Sequence, residues 1–206
     1  MAGLPRSAGG RPCHIKANVV HNQKNIFLVV IKRSSMKYIA LLRGINVGKS
    51  IKVSMKELKS ICEDIGLENV RTYIQSGNVI FESDLEEAVI IEKLERALTE
   101  TQQKQIPAIV REFNELATVL ANNPFKDANP SQVGVMFFTD KVPQDLLNGF
   151  TNDGPEEITL SEREIYIHFP NGMGRSKLKL PIKQPGTVRN INTVTKLIEL
   201  SRETSN

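Results

Sequence analysis

A chain of 206 residues, 40% of them hydrophobic, is long enough to bury one sizeable core or two small ones. Its charge of +4 would suit a nucleic-acid partner, but residues 1–35 hold six cations (Arg6, Arg11, Lys16, Lys24, Lys32, Arg33) and no acid, leaving 21 basic and 23 acidic residues, a net of −2, from Met36 on. That balance argues against a broad phosphate footprint on the body, and the two cysteines, Cys13 and Cys62, form no C-x-x-C and imply neither a disulfide framework nor a zinc site.

Residues 1–35 read as a leader foreign to the fold, non-native or disordered. Gly and Pro come early and no amphipathic period follows. The longest apolar run, Ile26 to Ile31, is far too short to span a bilayer and has no small-residue cleavage site after it. No membrane association is expected, and a reducing, cytoplasmic compartment fits. Met36 is the expected biological start, because Lys32-Arg33-Ser34 can be encoded by AAA-AGG-AGT, which contains a bacterial ribosome-binding sequence. The alternative is a basic, acid-free presequence.

Tyr38 to Leu42 is a strand that is apolar on both faces, the pattern of a central strand covered on both sides. Ser54 and Glu57 form a capping box, and Met55, Leu58, Ile61, Cys62 and Ile65 make the inward stripe of a helix that Gly66 ends. Cys62 on that stripe reads as a small buried hydrophobe. Val70–Gln75 and Asn78–Glu82 form a hairpin around Ser76-Gly77. A second helix is expected from Ser83 to about Gln103, then a strand from Ile106 to Arg111. The order β-α-β-β-α-β is that of a ferredoxin-like α-β plait over residues 36–112.

The loop Gly44-Ile45-Asn46-Val47-Gly48-Lys49-Ser50 resembles a phosphate loop but is one residue short between its glycines. The helix also starts late, at Ser54, which misplaces the amide cradle. What remains is a loop in which Arg43, Asn46 and Lys49 could contact an anion. Plaits also bind RNA by stacking bases on sheet aromatics, but the spaced aromatics are missing here, so nucleic acid is an unlikely partner on this pattern.

Residues 113–206 form a second α+β, plait-like half. Leu116, Val119 and Leu120 mark a short helix ended by Asn122-Asn123-Pro124. Val133–Phe138 is a strand, Pro143 to Asn148 a short helix, and Glu157–Leu160 with Glu164–Phe169 a hairpin. On its second strand Ile165, Ile167 and Phe169 are expected inward, with Glu164, Tyr166 and His168 outward or against a partner. His168 is the only histidine of the body and has no identifiable nucleophile or acid beside it. The glycine-bearing basic loop Asn171–Lys179 includes Lys177. Thr187-Val188-Arg189-Asn190 leads into a final helix with Ile191, Val194, Leu197 and Ile198 inward and Asn190 or Asn192 as its cap. Arg189 beside that helix start is a candidate anion contact.

The segments Y-I-A-L-L-R-G-I-N-V-G, V-R-T-Y-I-Q-S-G-N-V-I-F, A-N-N-P-F, S-K-L and T-V-R-N-I-N-T-V-T-K-L resemble the bacterial domain-of-unknown-function family 1697 from Met36 to Leu200. The resemblance implies two α-β plait subdomains with antiparallel sheets in a cytoplasmic bacterial protein, and no established activity. Ile191 stands where family members often carry an aromatic, which removes a ring that could stack on a ligand.

The expectation is therefore an α+β protein that binds a phosphorylated or otherwise anionic small molecule between its halves. Arg43, Asn46, Lys49, Arg71, Gln75, Asn78, Lys177, Arg189 and Asn190 are the candidate contacts, and no cofactor or metal is invoked. The alternatives are an enzyme acting on such a ligand through His168 or Ser76, and an RNA-binding plait.

Overall fold

β1 (Met36–Leu42) has Tyr38, Ala40 and Leu42 buried on one face and Ile39 and Leu41 on the other. That double burial decides the architecture, because each face needs its own cover. The computed structural model describes residues 34–48 and 50–203. Residues 1–33 of the leader, Lys49 and residues 204–206 lie outside the described residues.

The first half runs β1, α1 (Met55–Asp64), β2 (Glu68–Tyr73), β3 (Asn78–Ser83), α2 (Glu87–Gln102) and β4 (Ala108–Glu112). Its four strands lie in the order β2-β3-β1-β4, all antiparallel, which is the plait arrangement. α1 and α2 cover the Tyr38 face with Leu58, Ile61, Cys62, Ile90, Leu94 and Leu98. Ser54 caps α1 as its spacing predicts, with its Oγ accepting from the Glu57 amide at 3.1 Å. Burial pushes the Cys62 thiol up to about 12, so it is a neutral hydrophobe at physiological pH. α2 starts later than predicted: Ser83 closes β3 and its Oγ accepts from Leu85 N, a local turn that competes with helix.

α3 (Phe113–Ala121) follows β4 directly and leads to β5 (Val133–Phe138), β6 (Glu157–Leu160), β7 (Glu164–His168), β8 (Gly186–Asn190) and α4 (Ile191–Arg202). The second sheet has the order β6-β7-β5-β8, again antiparallel. This is the first sheet's order repeated, with a helix after the fourth strand in each case. α3 and α4 fill the layer between the sheets. Leu116, Val119, Ile191, Val194, Leu197 and Ile198 pack there between Ile39, Leu41, Ile80 and Ile109 of one sheet and Val133, Val135, Phe137 and Tyr166 of the other. The face on which an RNA-binding plait would stack bases is thus occupied by helices.

The halves differ in their connections. Where the first sheet has α1 and α2, the second has no α-helix over 139–156 and 169–185, only turns, loop and one 3-10 turn at Met173–Arg175. The helix predicted from Pro143 to Asn148 is a run of turns closed by i→i+3 bonds (Leu146 N to Pro143 O, Asn148 N to Asp145 O). The outward reading of Glu164 and Tyr166 is also corrected. Both point into the shared layer, where the Tyr166 hydroxyl donates to the Val119 carbonyl at 2.8 Å.

Glu164 faces Arg111, which is wholly buried. Arg111 Nε and Nη2 donate to Glu164 Oε1 at 3.0 and 2.9 Å, and Nη2 also donates to the Phe138 carbonyl at 2.5 Å. Glu115 lies 3.2 Å from Arg111 Nε and 3.1 Å from Arg163 Nη1, and Glu87 binds Arg163. Two arginines and three glutamates thus join α2, α3, β4 and β7. Removing one partner of such a group leaves an uncompensated buried charge. Arg111→Ala is expected to cost about 3–5 kcal/mol, measured by denaturant unfolding.

Burial holds the Glu115 carboxyl above its ordinary value, against the pull of Arg111 and Arg163. The folded state then binds the proton more tightly than the unfolded chain. Stability contributed by this group should fall as pH rises from its ordinary value of 4.5 through the raised one, and be flat outside that window. Unfolding measured across that range should show this slope in the native chain and lose it in Glu115→Gln.

Candidate ligand-binding site

The exit of β1 is built around a side chain. Asn46, at a φ of 56°, donates from Nδ2 to the carbonyls of Val53 (2.7 Å) and Gln75 (2.9 Å) and accepts from Val53 N at 3.0 Å. It staples the 43–53 loop to the β2–β3 turn. Gly77 in that turn has a φ of +79°, and a Cβ there would stand 2.7 Å from Ile45 Cδ1 and 2.9 Å from Leu42 Cβ, so only glycine fits.

Arg189 reaches this turn from β8. Its Nε donates to Asn78 Oδ1 (2.5 Å), its Nη1 to Thr187 Oγ1 and the Val188 carbonyl, and its Nη2 to the carbonyls of Leu42 (2.8 Å) and Ser76 (2.9 Å). Those bonds fill all the N–H donors of a guanidinium. Burial brings its pKa down to about 10, so it stays charged at neutral pH among neutral oxygens. Asn78, fully buried, also donates to the Tyr73 carbonyl and Ser76 Oγ, both at 3.0 Å.

Of the residues singled out from sequence, Arg43, Asn46, Gln75, Asn78 and Arg189 do gather at this end of the first sheet. Asn46, Asn78 and Arg189 are engaged in holding it together and have no donor left over for an anion. Asn190 caps α4, its Oδ1 accepting from Asn192 N while Nδ2 donates to the Ser131 carbonyl. Arg71 ties β2 to the far end of α4 through the Leu200 carbonyl (3.0 Å) and Glu203 (2.9 Å). Arg43, Gln75 and Lys177 are exposed, and their side chains make no hydrogen bond or ion pair among the described residues.

Arg43 opens onto the outer face of the second sheet. The chain crossing that face, Arg175-Ser176-Lys177-Leu178-Lys179-Leu180-Pro181-Ile182-Lys183, alternates apolar and basic. Leu178, Leu180 and Ile182 pack on the sheet's outer core and the lysines are exposed. Between this strap and β5, β7 and β8 lies a cavity of about 530 Å³. Met136, Ile167, Phe169, Met173 and Val188 form its apolar wall, and Arg43, Lys179 and Lys183 line it as well. None of the described residues lining it is acidic. A second cavity of about 500 Å³ on the strap's other side is mixed in charge, with Asp153, Glu156, Arg175 and Lys177. The basic loop Asn171–Lys179 is legible in the sequence, with Lys177 as its candidate contact; Lys179, within that loop, and Lys183, beyond it, carry the same alternating signal.

Neither His168 nor Ser76 lines the apolar cavity. His168 Nδ1 lies 2.9 Å from Glu157 Oε1, across the β6–β7 pair. Among the described residues there is no His, Cys, Asp and Glu cluster that could hold a metal, and no helix is long and apolar enough to cross a membrane.

Fold and cavity together describe an α+β protein with two four-stranded antiparallel sheets and a basic, loop-covered pocket on one of them. The chain belongs to the protein family of unknown function DUF1697, whose profile matches residues 36–166. It is similar in structure to the conserved bacterial protein SP0830 from Streptococcus pneumoniae, with a TM-score of 0.68 and 25% identity, over 82% of this chain and 100% of that one. No curated protein matches it.

The two arginines of this region have opposite expected behaviour. Arg189→Ala strands buried carbonyls and should destabilise by about 3 kcal/mol or more, whereas Arg43→Ala, at an exposed unpaired site, should stay within about 0.5 kcal/mol. Paired urea titrations give both values.

Proposed function

We propose that this chain is a binding module for an anionic small molecule, held on the outer face of the second sheet by Arg43, Lys179 and Lys183. The observation that carries this reading is the cavity of about 530 Å³ with three cations and no acid among its described lining residues. Its size falls within the range of small-molecule pockets. Each of these cations is exposed and unpaired among the described residues, so each can turn its donors to a ligand without breaking an internal bond.

The fold supports the same reading. The first sheet closes the equivalent face with two packed helices, while the second leaves it under an irregular strap. Arg43 comes from the exit of β1 and the lysines from the chain before β8, so a ligand there would touch both halves. Lys177, beside the mixed cavity, and Gln75 are secondary contacts. Lys49 belongs to the same loop as Arg43 in sequence.

The test is a thermal-shift and calorimetric screen of inorganic phosphate, pyrophosphate, sugar phosphates and nucleotides. A ligand that binds only the folded chain at 100 times its Kd should add about 2.7 kcal/mol of stability. The triple variant Arg43→Gln, Lys179→Gln, Lys183→Gln should fold normally and lose the effect. Absence of any anion-dependent shift, or an equal shift in the triple variant, rules the reading out.

A further inference from the structure

The wall of the cavity specifies more than charge. We infer that the ligand is amphipathic: an anionic head, phosphate or carboxylate, carrying an unbranched or lightly branched aliphatic chain. This rests on the anion-binding reading above and narrows it. Besides the three cations, the uncharged polar side chains among the lining residues are Ser176 and Gln184. Ser176 Oγ is already committed to Glu156 at 2.5 Å, and the side chain of Gln184 donates to the Lys141 carbonyl at 3.4 Å. A base or a sugar would set most of its donors and acceptors against apolar side chains of this wall, at a cost an alkyl chain does not incur.

The apolar residues are also of an adaptable kind. Met136 rises from the central strand β5, and Met173 comes down from the strap. Both are half-exposed and unbranched, able to follow a flexible chain. Gly134 beside them makes this closeness possible. A Cβ there would stand 2.8 Å from Met173 Cε and 2.9 Å from Phe169 Cε2, so the glycine lets the strap's methionine lie directly on the sheet. The cations sit along the open side, where Lys179 and Lys183 alternate with the inward Leu178, Leu180 and Ile182. A head at that rim and a chain along the methionine wall match both surfaces at once.

The experiment is isothermal titration of the full chain with inorganic phosphate and n-alkyl phosphates of increasing chain length up to octyl, and with octanol, each kept below its aggregation concentration. Affinity is expected to rise with each added methylene, by up to about fourfold where the methylene is fully buried. Met173→Gln, which keeps the volume and adds a polar group, should flatten this dependence while leaving phosphate binding intact. Lys179→Gln with Lys183→Gln should weaken every phosphate, and octanol should bind far more weakly than octyl phosphate. If phosphate and all alkyl phosphates bind equally, the aliphatic inference fails and the anion site stands. If none binds, the anion site fails with it. Octanol binding as well as octyl phosphate, or an unchanged length dependence in Met173→Gln, also overturns the inference.

Discussion

Two buried guanidinium groups fix how the sheets meet. Arg189 leaves the last strand of the second sheet and ends among carbonyls at the end of β1 and in the β2–β3 turn of the first. Arg111 leaves the last strand of the first sheet and ends on Glu164 of the second. An apolar interface alone would tolerate sliding, because hydrophobic burial is not directional. A planar fork with fixed donors does not tolerate it. The α3–α4 layer supplies the area of contact, and the arginines supply the register.

This explains why the charged residues that look most functional in the sequence are internal. Arg189 is solvated by neutral oxygens alone, and Arg111 by carboxylates of Glu164 and Glu115 together with backbone carbonyls. Both arrangements use the guanidinium as a multi-point connector, which a lysine could not replace. With those groups committed, the cations along the second sheet's outer face, Arg43, Lys179 and Lys183, stay exposed and unpaired among the described residues. The proposed site and the interface are consequently adjacent: Arg189 anchors the strand end beside which Arg43 enters the cavity.

Much of the fold was legible in the residues. The double-faced apolar run at Tyr38–Leu42 and the final stripe at Ile191–Ile198 carry a local periodic signal and form as read; of the Ser54–Glu57 capping box only the Ser54 half forms, because the Glu57 carboxylate accepts from Gln102 Nε2 instead. The failures share a physical cause. Glu164 and Tyr166 read as facing outward or against a partner because polar residues in a strand usually mark the wet face. Here that face is covered by helices from elsewhere in the chain, and the partners that solvate them, Arg111 and the Val119 carbonyl, are far away in sequence. The same long-range pairing hid the structural use of Arg189 and Asn78. The cavity wall was unreadable for another reason: Met136, Phe169 and Met173 look like ordinary core until the missing helices above them are known.

The assignment of a ligand site to the outer face of the second sheet is best tested by methionine methyl NMR, since the chain has five methionines and two line the cavity. On titration with octyl phosphate, the Met136 and Met173 methyls should shift together and saturably, while Met55, the first residue of α1, which packs against the first sheet's core, stays in place. Shifts confined to Met55, or none at all at saturating anion, would contradict the account.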